Sequence, residues 1–155
     1  MKVPRSKHFL PIILLLAVAL FFFTRPRYAS FSDWAATLTA EQIQQAHFAK
    51  NYGVEKISYD SPESEFPTIV TLLKSVAEAQ RSREKAFSTV DEDYRLALFA
   101  QNKLWLFKCR EDKTISLTFD DQETAKAYGC TNKPLIIRNE ALWNYIITTV
   151  DTYGN

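Results

Sequence analysis

A chain of 155 residues with a formal net charge of +1 has room for one globular domain and no overall field to draw it to nucleic acid. Its three glycines, Gly53, Gly129 and Gly154, stand too far apart to build a phosphate-cradling loop of the P-loop or dinucleotide-binding kind. Its two cysteines, Cys109 and Cys130, match neither a redox C-x-x-C pair nor a four-ligand zinc module.

The chain opens with Lys2, Arg5 and Lys7, and residues 9–23 form an unbroken apolar run. That layout suits a secretory signal, whose apolar core is typically about 7–15 residues long. The cleavage chemistry is poor, because the candidate cuts near Ala29 and Ser30 place Arg27 or Tyr28 three positions back, where a small residue is needed. No cysteine lies near the run to take a lipid. As a helix the run spans about 22 Å, at about 1.5 Å per residue, against a hydrocarbon core of about 30 Å. Thr24, local thinning and snorkelling by Lys7, Arg25 and Arg27 make up part of the difference. These residues predict a retained single-pass anchor entering the membrane through residues 9–24, with a cleaved signal and a secreted protein as the alternative. Three cations and the terminal amine before the run, against Arg25 and Arg27 after it, put the N-terminus in the cytoplasm and the rest outside. The expected organisation is an anchor over residues 1–27, a connector over 28–38, and a globular domain over 39–155.

Thr39 and Gln42 form a capping box, Leu38 and Ile43 fit a hydrophobic staple, and Gly53 can stop a helix, so local chemistry predicts a helix over residues 40–51. A strand over 43–50 is the competing expectation. "KISYDSP" reads as an extended piece and a turn. Phe66, Ile69, Val70, Leu73 and Val76 recur at helical spacing, with Pro67 tolerated in the first turn, and predict a helix over 65–80. "RSREK" reads as a polar loop, which with Lys74 makes a modest basic patch suited to an anionic membrane surface.

Three alternating segments follow. "DYRLALFAQ" sets Tyr94, Leu96 and Leu98 against Arg95, Ala97 and Phe99. "KLWLFKC" sets Trp105, Phe107 and Cys109 against Leu104 and Leu106, and "TISLTF" sets Ile115, Leu117 and Phe119 against polar neighbours. The short links "QN" and "REDK" favour an antiparallel meander. Asp120 and Glu123 mark the start of a short helix that Gly129 ends, "PLIIR" is a fourth strand, and Asn139 caps a last helix with Leu142, Trp143, Ile146, Ile147 and Val150 on its buried face. The expected fold is α+β, a small antiparallel sheet with helices packed on one face.

The search for chemistry returns little. His47 is the only histidine beyond the anchor, so any Ser-His-Asp or Cys-His constellation must use it, and its flanks Ala46 and Phe48 give it an ordinary position. No cofactor, metal site or catalytic residue is predicted. Acidic residues gather at Asp91, Glu92 and Asp93, at Glu111 and Asp112, and at Asp120, Asp121 and Glu123, where turns and a helix start explain them. An envelope enzyme built on Asp120, Asp121 and Glu123 would need two of them to converge with a raised pKa. Cys109 and Cys130 are either two half-buried thiols or, outside the cytoplasm, a disulfide or redox pair. Trp105, Phe107, Trp143 and Tyr145 are candidates for a recognition surface, although such spacing usually marks core.

The segments "LTAEQIQQAHF", "TIVTLLKSV", "LWLFKCREDKTISLTFDD", "YGC" and "NEALWNYI" resemble a group of small membrane-anchored or secreted proteins of Firmicutes, chiefly gut clostridia, over most of the chain after about residue 31. That group has no assigned activity to carry onto any position. The resemblance implies that "QIQQAHFAK" is a strand opening the sheet. The expected function is therefore an anchored, extracytoplasmic, non-catalytic domain that binds another envelope protein or a peptide.

Overall fold

The computed structural model describes residues 13–16, 20, 28–52, 55–77, 79–82, 92–131 and 133–155. Most of the apolar run, Gly53, Asp91 and the greater part of "RSREK" lie outside the described residues. In chain order the elements are helix α1 (Phe31–Thr37), strands β1 (Ile43–Tyr52) and β2 (Glu55–Asp60), helix α2 (Phe66–Lys74) and strands β3 (Ala79–Arg81), β4 (Glu92–Ala100), β5 (Lys103–Cys109) and β6 (Ile115–Phe119). Helix α3 (Gln122–Ala127), strand β7 (Leu135–Ile137) and helix α4 (Glu140–Tyr153) complete the domain. Single 3₁₀ turns, Ala40–Gln42 and Glu63–Glu65, lead into β1 and α2.

The strands form one antiparallel sheet in the order β2-β1-β4-β5-β6-β7-β3. The expected meander is its centre, β4-β5-β6, with β4 and β5 joined by a two-residue turn in which Gln101 and Asn102 have φ of 53° and 59°. One register row places Phe48, Leu96, Phe107, Leu117 and Leu135 side by side, and the next places Ala46, Leu98, Trp105 and Phe119. Those residues make the face on which the helices pack. Trp105, Phe107, Leu96, Leu98, Ile69, Leu73, Leu142 and Ile146 have no exposed surface. Burying each large apolar side chain stabilises the fold by about 1.5–3 kcal/mol.

Four expectations are corrected here. The connector over 28–38 is largely helix α1, capped by Ser30, whose side chain accepts from Asp33 N–H. Phe31, Trp34, Ala35 and Leu38 lie in the core, and the Trp34 ring stacks on Trp105 with centroids 3.5 Å apart. The helix over 40–51 is strand β1. Gln42 does accept from Thr39 N–H at 3.0 Å, but that bond closes only one 3₁₀ turn. A bulge between Ile43 and Gln45 then puts Ile43 and Ala46 on the same face, so a strand carries apolar residues at helical spacing.

Helix α2 is shorter than the expected 65–80. The Ser75 hydroxyl donates back to Leu72 O at 2.7 Å and accepts from the Asn139 side chain at 2.8 Å, and the chain leaves extended to form β3 on β7. Arg81, expected in a loop, closes β3. The sheet thus has seven strands where four or five were expected.

Residues 13–16 and 20 are helical, and Ile13, Leu14, Leu15, Leu16 and Leu20 are 57–70% exposed. Among the described residues no helix is long and apolar enough to cross a membrane.

Candidate functional site

The four aromatic residues singled out for recognition do not form a surface together. Trp105 and Phe107 are fully buried on the helix-covered face, because β5 alternation turns both toward α1. Trp143 and Tyr145 are half-buried on α4, where Trp143 Nε1 donates to Arg110 O at 2.9 Å and Tyr145 meets Phe48 edge-on. Burial pushes the Tyr145 phenol up to about 12, with Glu65 adding to the effect, so it stays a donor toward that carboxylate.

The carboxylates after β6 do not converge in a cleft. Asp120, Asp121 and Glu123 are all exposed. Asp121 is the N-cap of α3, and its Oδ1 accepts from Thr124 N–H at 2.7 Å. That bond, with the Thr124 hydroxyl, lowers the Asp121 pKa, the opposite of what a general acid at neutral pH requires. Cys109 and Cys130 are free and buried, Cys109 paired with Ile115 on β6 and Cys130 after α3, where its thiol donates to Ala125 O at 3.4 Å. Desolvation pushes Cys109 up to about 12 and Cys130 to about 11, which suppresses the thiolate a redox or nucleophilic role needs. Among the described residues no three His, Cys, Asp or Glu side chains are grouped so as to hold a metal ion.

Two other surfaces have a more open character. On the sheet face away from the helices, Gln45, Phe99 and Leu104 form one register row, and His47, Ala97, Leu106 and Thr118 the next. Phe99 is 38% exposed, an uncommon state for that side chain, and Leu104 and Leu106 are half-buried. Charged groups border this strip. Asp93 Oδ2 meets Lys108 Nζ at 3.1 Å and Arg95 at 3.6 Å, while Asp93 Oδ1 and Arg95 Nε are buried with no hydrogen-bond partner among the described residues. At the other border His47 Nδ1 lies 2.7 Å from Asp60 Oδ1, and this bond lowers the Asp60 pKa.

The β2 edge is partly closed. Ser58 and Asn155 exchange both backbone hydrogen bonds at 3.3 Å, which occupies the middle of the strand. Gly154 permits it, since a Cβ there would lie 2.3 Å from Ile57 Cγ2 and 2.6 Å from Val150 O.

The second surface is a shallow cleft of about 290 Å³ lined by Tyr28, Lys126, Gly129, Thr131 and Lys133. Ala29 N–H donates to Ala127 O at 2.8 Å and so fastens the segment entering the domain to the end of α3. The Arg81 guanidinium sits 3.6 Å over the Tyr28 ring, a cation–π contact. Gly129 has φ +69°, and a Cβ there would come within 2.7 Å of the Tyr28 ring and 2.9 Å of the Arg81 guanidinium carbon. Both the left-handed backbone and the close approach therefore require glycine. Sequence reasoning recognised Gly129 only as a helix stop. It missed the cleft because residues 28, 81, 126 and 133 come from separate segments that only the β3–β7 pairing and the Ala29 bond bring together.

Compared with protein-family models, curated proteins and solved structures, the chain matches none.

Proposed function

We propose that this chain is a membrane-anchored, extracytoplasmic α+β domain of the bacterial envelope that binds another envelope protein or a peptide and catalyses no reaction. The observation that carries the anchor is the helical stretch at residues 13–16 and 20, whose leucines and isoleucine are 57–70% exposed. Apolar side chains at helical spacing that the domain does not cover favour a bilayer as their solvent over a buried core helix. Retention has separate support. A cut near Ala29 would sever a segment that is bonded to Ala127 and stacked beneath Arg81.

The partner is expected on the open sheet face, at the strip of Phe99, Leu104 and Leu106, rather than on β2, where Asn155 occupies the edge. The carboxylate-enzyme alternative lacks comparable support, because Asp121 is committed to capping α3 and neither Asp120 nor Glu123 joins it in a cleft. The Cys109–Cys130 pair of a secreted form lacks it too, both thiols being free.

The reading is tested by placing a photo-crosslinking residue at Phe99 and, as a control, at the exposed Lys74 on the helix side. In intact cells one discrete adduct should form from position 99 and none from position 74, with the domain open to protease added outside. Equal labelling from both positions, or a protected domain, would refute it.

A further inference from the structure

We propose that β2 is a homodimerisation edge, on which β2 of a second copy of this chain takes the place of Asn155, antiparallel and centred on Ser58. The inference goes beyond the reading above and does not rest on the anchor.

The backbone supplies the ladder. Ser58 turns its N–H and C=O away from β1 and toward Asn155. Along an antiparallel strand the outward groups recur at every second residue, so Lys56 and Asp60 turn theirs to the same side. Asn155 holds only the middle of that row, and its bonds, at 3.3 Å each, are longer than the usual length of about 2.9–3.0 Å. A matching strand replaces both bonds and adds those at Lys56 and Asp60, so it outcompetes a single residue.

The side chains fix which strand that is. A two-fold axis at Ser58 sets Lys56 opposite the second copy's Asp60, and Asp60 opposite its Lys56. Both residues are exposed, and opposite charges directly across a ladder attract where like charges repel. Asp60 is free to serve as it stands. Gln45 and His47 both bond its Oδ1, and Oδ2 has no hydrogen-bond partner among the described residues. On the covered face the same register sets half-buried Ile57 against Tyr59. Tyr153, 54% exposed and stacked on Tyr59 with centroids 5.2 Å apart, extends that apolar margin. A slip of two residues sets Lys56 or Asp60 opposite Ser58 and loses both charge pairs. Strand β3, at the other edge, has no such match, since centring it on Gln80 sets Arg81 opposite Ala79.

The test is oxidative crosslinking of the full chain, in whichever cell fraction holds it, with Ser58→Cys as the probe. Facing residues of a hydrogen-bonded pair have Cα atoms about 5.5 Å apart, within disulfide reach. Cys109 and Cys130 are buried and do not compete. Ser58→Cys should give a dimer. Lys56→Cys should give none, since its two copies stand about 13 Å or more apart across the axis. Adding Lys56→Glu or Asp60→Lys to the Ser58→Cys chain should each cut the dimer about ten-fold, by replacing attraction with repulsion at two places. Making those two variants together should restore it, because every charge then faces its opposite, and that recovery shows both are folded. Gly154→Ala, which displaces Asn155, should bring on the dimer at about thirty-fold lower protein density, roughly five-fold for each cover removed. Below that density the variant leaves Ser58 open. No dimer from Ser58→Cys, even with Gly154→Ala, would overturn the proposal. Equal crosslinking from Lys56→Cys would also overturn it, as random collision. A dimer indifferent to the charge variants, or one that producing them together fails to restore, would overturn the register.

Discussion

The two faces of the sheet use the same alternation to opposite ends. On the covered face Trp105 is enclosed by Trp34, Phe31, Phe119 and Tyr128, with ring centroids 3.5–6.2 Å away. On the open face Phe99 keeps 38% of its surface in solvent beside half-buried leucines and an Asp93–Lys108–Arg95 group. Trp105 and Phe107 are thus committed to the core, whereas Phe99, out of phase with the buried Leu96 and Leu98 and with no helix over it among the described residues, stays partly in solvent.

The comparison is sharpest where one substitution should unfold the domain and another should leave it intact. Trp105→Ala removes a fully buried indole and should cost about 3–5 kcal/mol in urea unfolding; a loss under about 1 kcal/mol would mean the covered face is not the core. Gly154→Ala forces Asn155 away from Ser58 through the clash with Ile57 and Val150 O, at a cost of about 1 kcal/mol for the bonds lost. The Ser58 amide should then exchange faster, and unchanged exchange would show that β2 has a free edge.

Asp121→Ala should lower stability through loss of the α3 cap, while Asp121→Asn, itself a good cap, should be close to neutral at pH 7. The folded Asp121 pKa is depressed, as are those of Asp60 and Asp112. Their stabilisation is therefore complete above the ordinary carboxylate value near 3.8 and is lost as pH falls through the lower folded values. The Asn variant should lose less stability on acidification than the parent, and identical acid profiles would contradict the assignment.

Phe99→Ser should change stability by only about 0.5 kcal/mol, as expected of a half-exposed site, while abolishing any adduct formed from the neighbouring Leu104 position. The smallest effect belongs to the thiols. With Cys109 held near 12 and Cys130 near 11, neither should react with Ellman's reagent at pH 8 until the domain unfolds. Prompt reaction of either would place it in a reactive site.

Much of the sheet was legible in the sequence, because period-two alternation survives wherever strands are regular. Strand β5 has the expected bounds, Lys103–Cys109, and Trp105, Phe107 and Cys109 share one face as its alternation implied. β1 was ambiguous for a physical reason, since the bulge at Gln44 restores the i, i+3 spacing of a helix within a strand. α1 was hidden because seven residues carry too little periodicity to reveal a helix, and tertiary stacking of Trp34 on Trp105 holds it. β3 escaped notice because three residues of modest β propensity pair only at the margin of the sheet. Of the candidate site, only the residue types were visible. The cleft needed the fold to bring Tyr28, Arg81, Lys126 and Lys133 together.

The proposed membrane attachment underlies the proposed envelope partner, so its direct measurement comes first. Membranes from cells making the native protein are washed at alkaline pH, and the intact mass of the protein is recorded in pellet and supernatant. The account predicts a full-length chain in the pellet, with residues 9–24 retained. A chain in the supernatant beginning near Ser30 would contradict it, leaving a diffusing protein that lacks Tyr28 and its contact with Arg81.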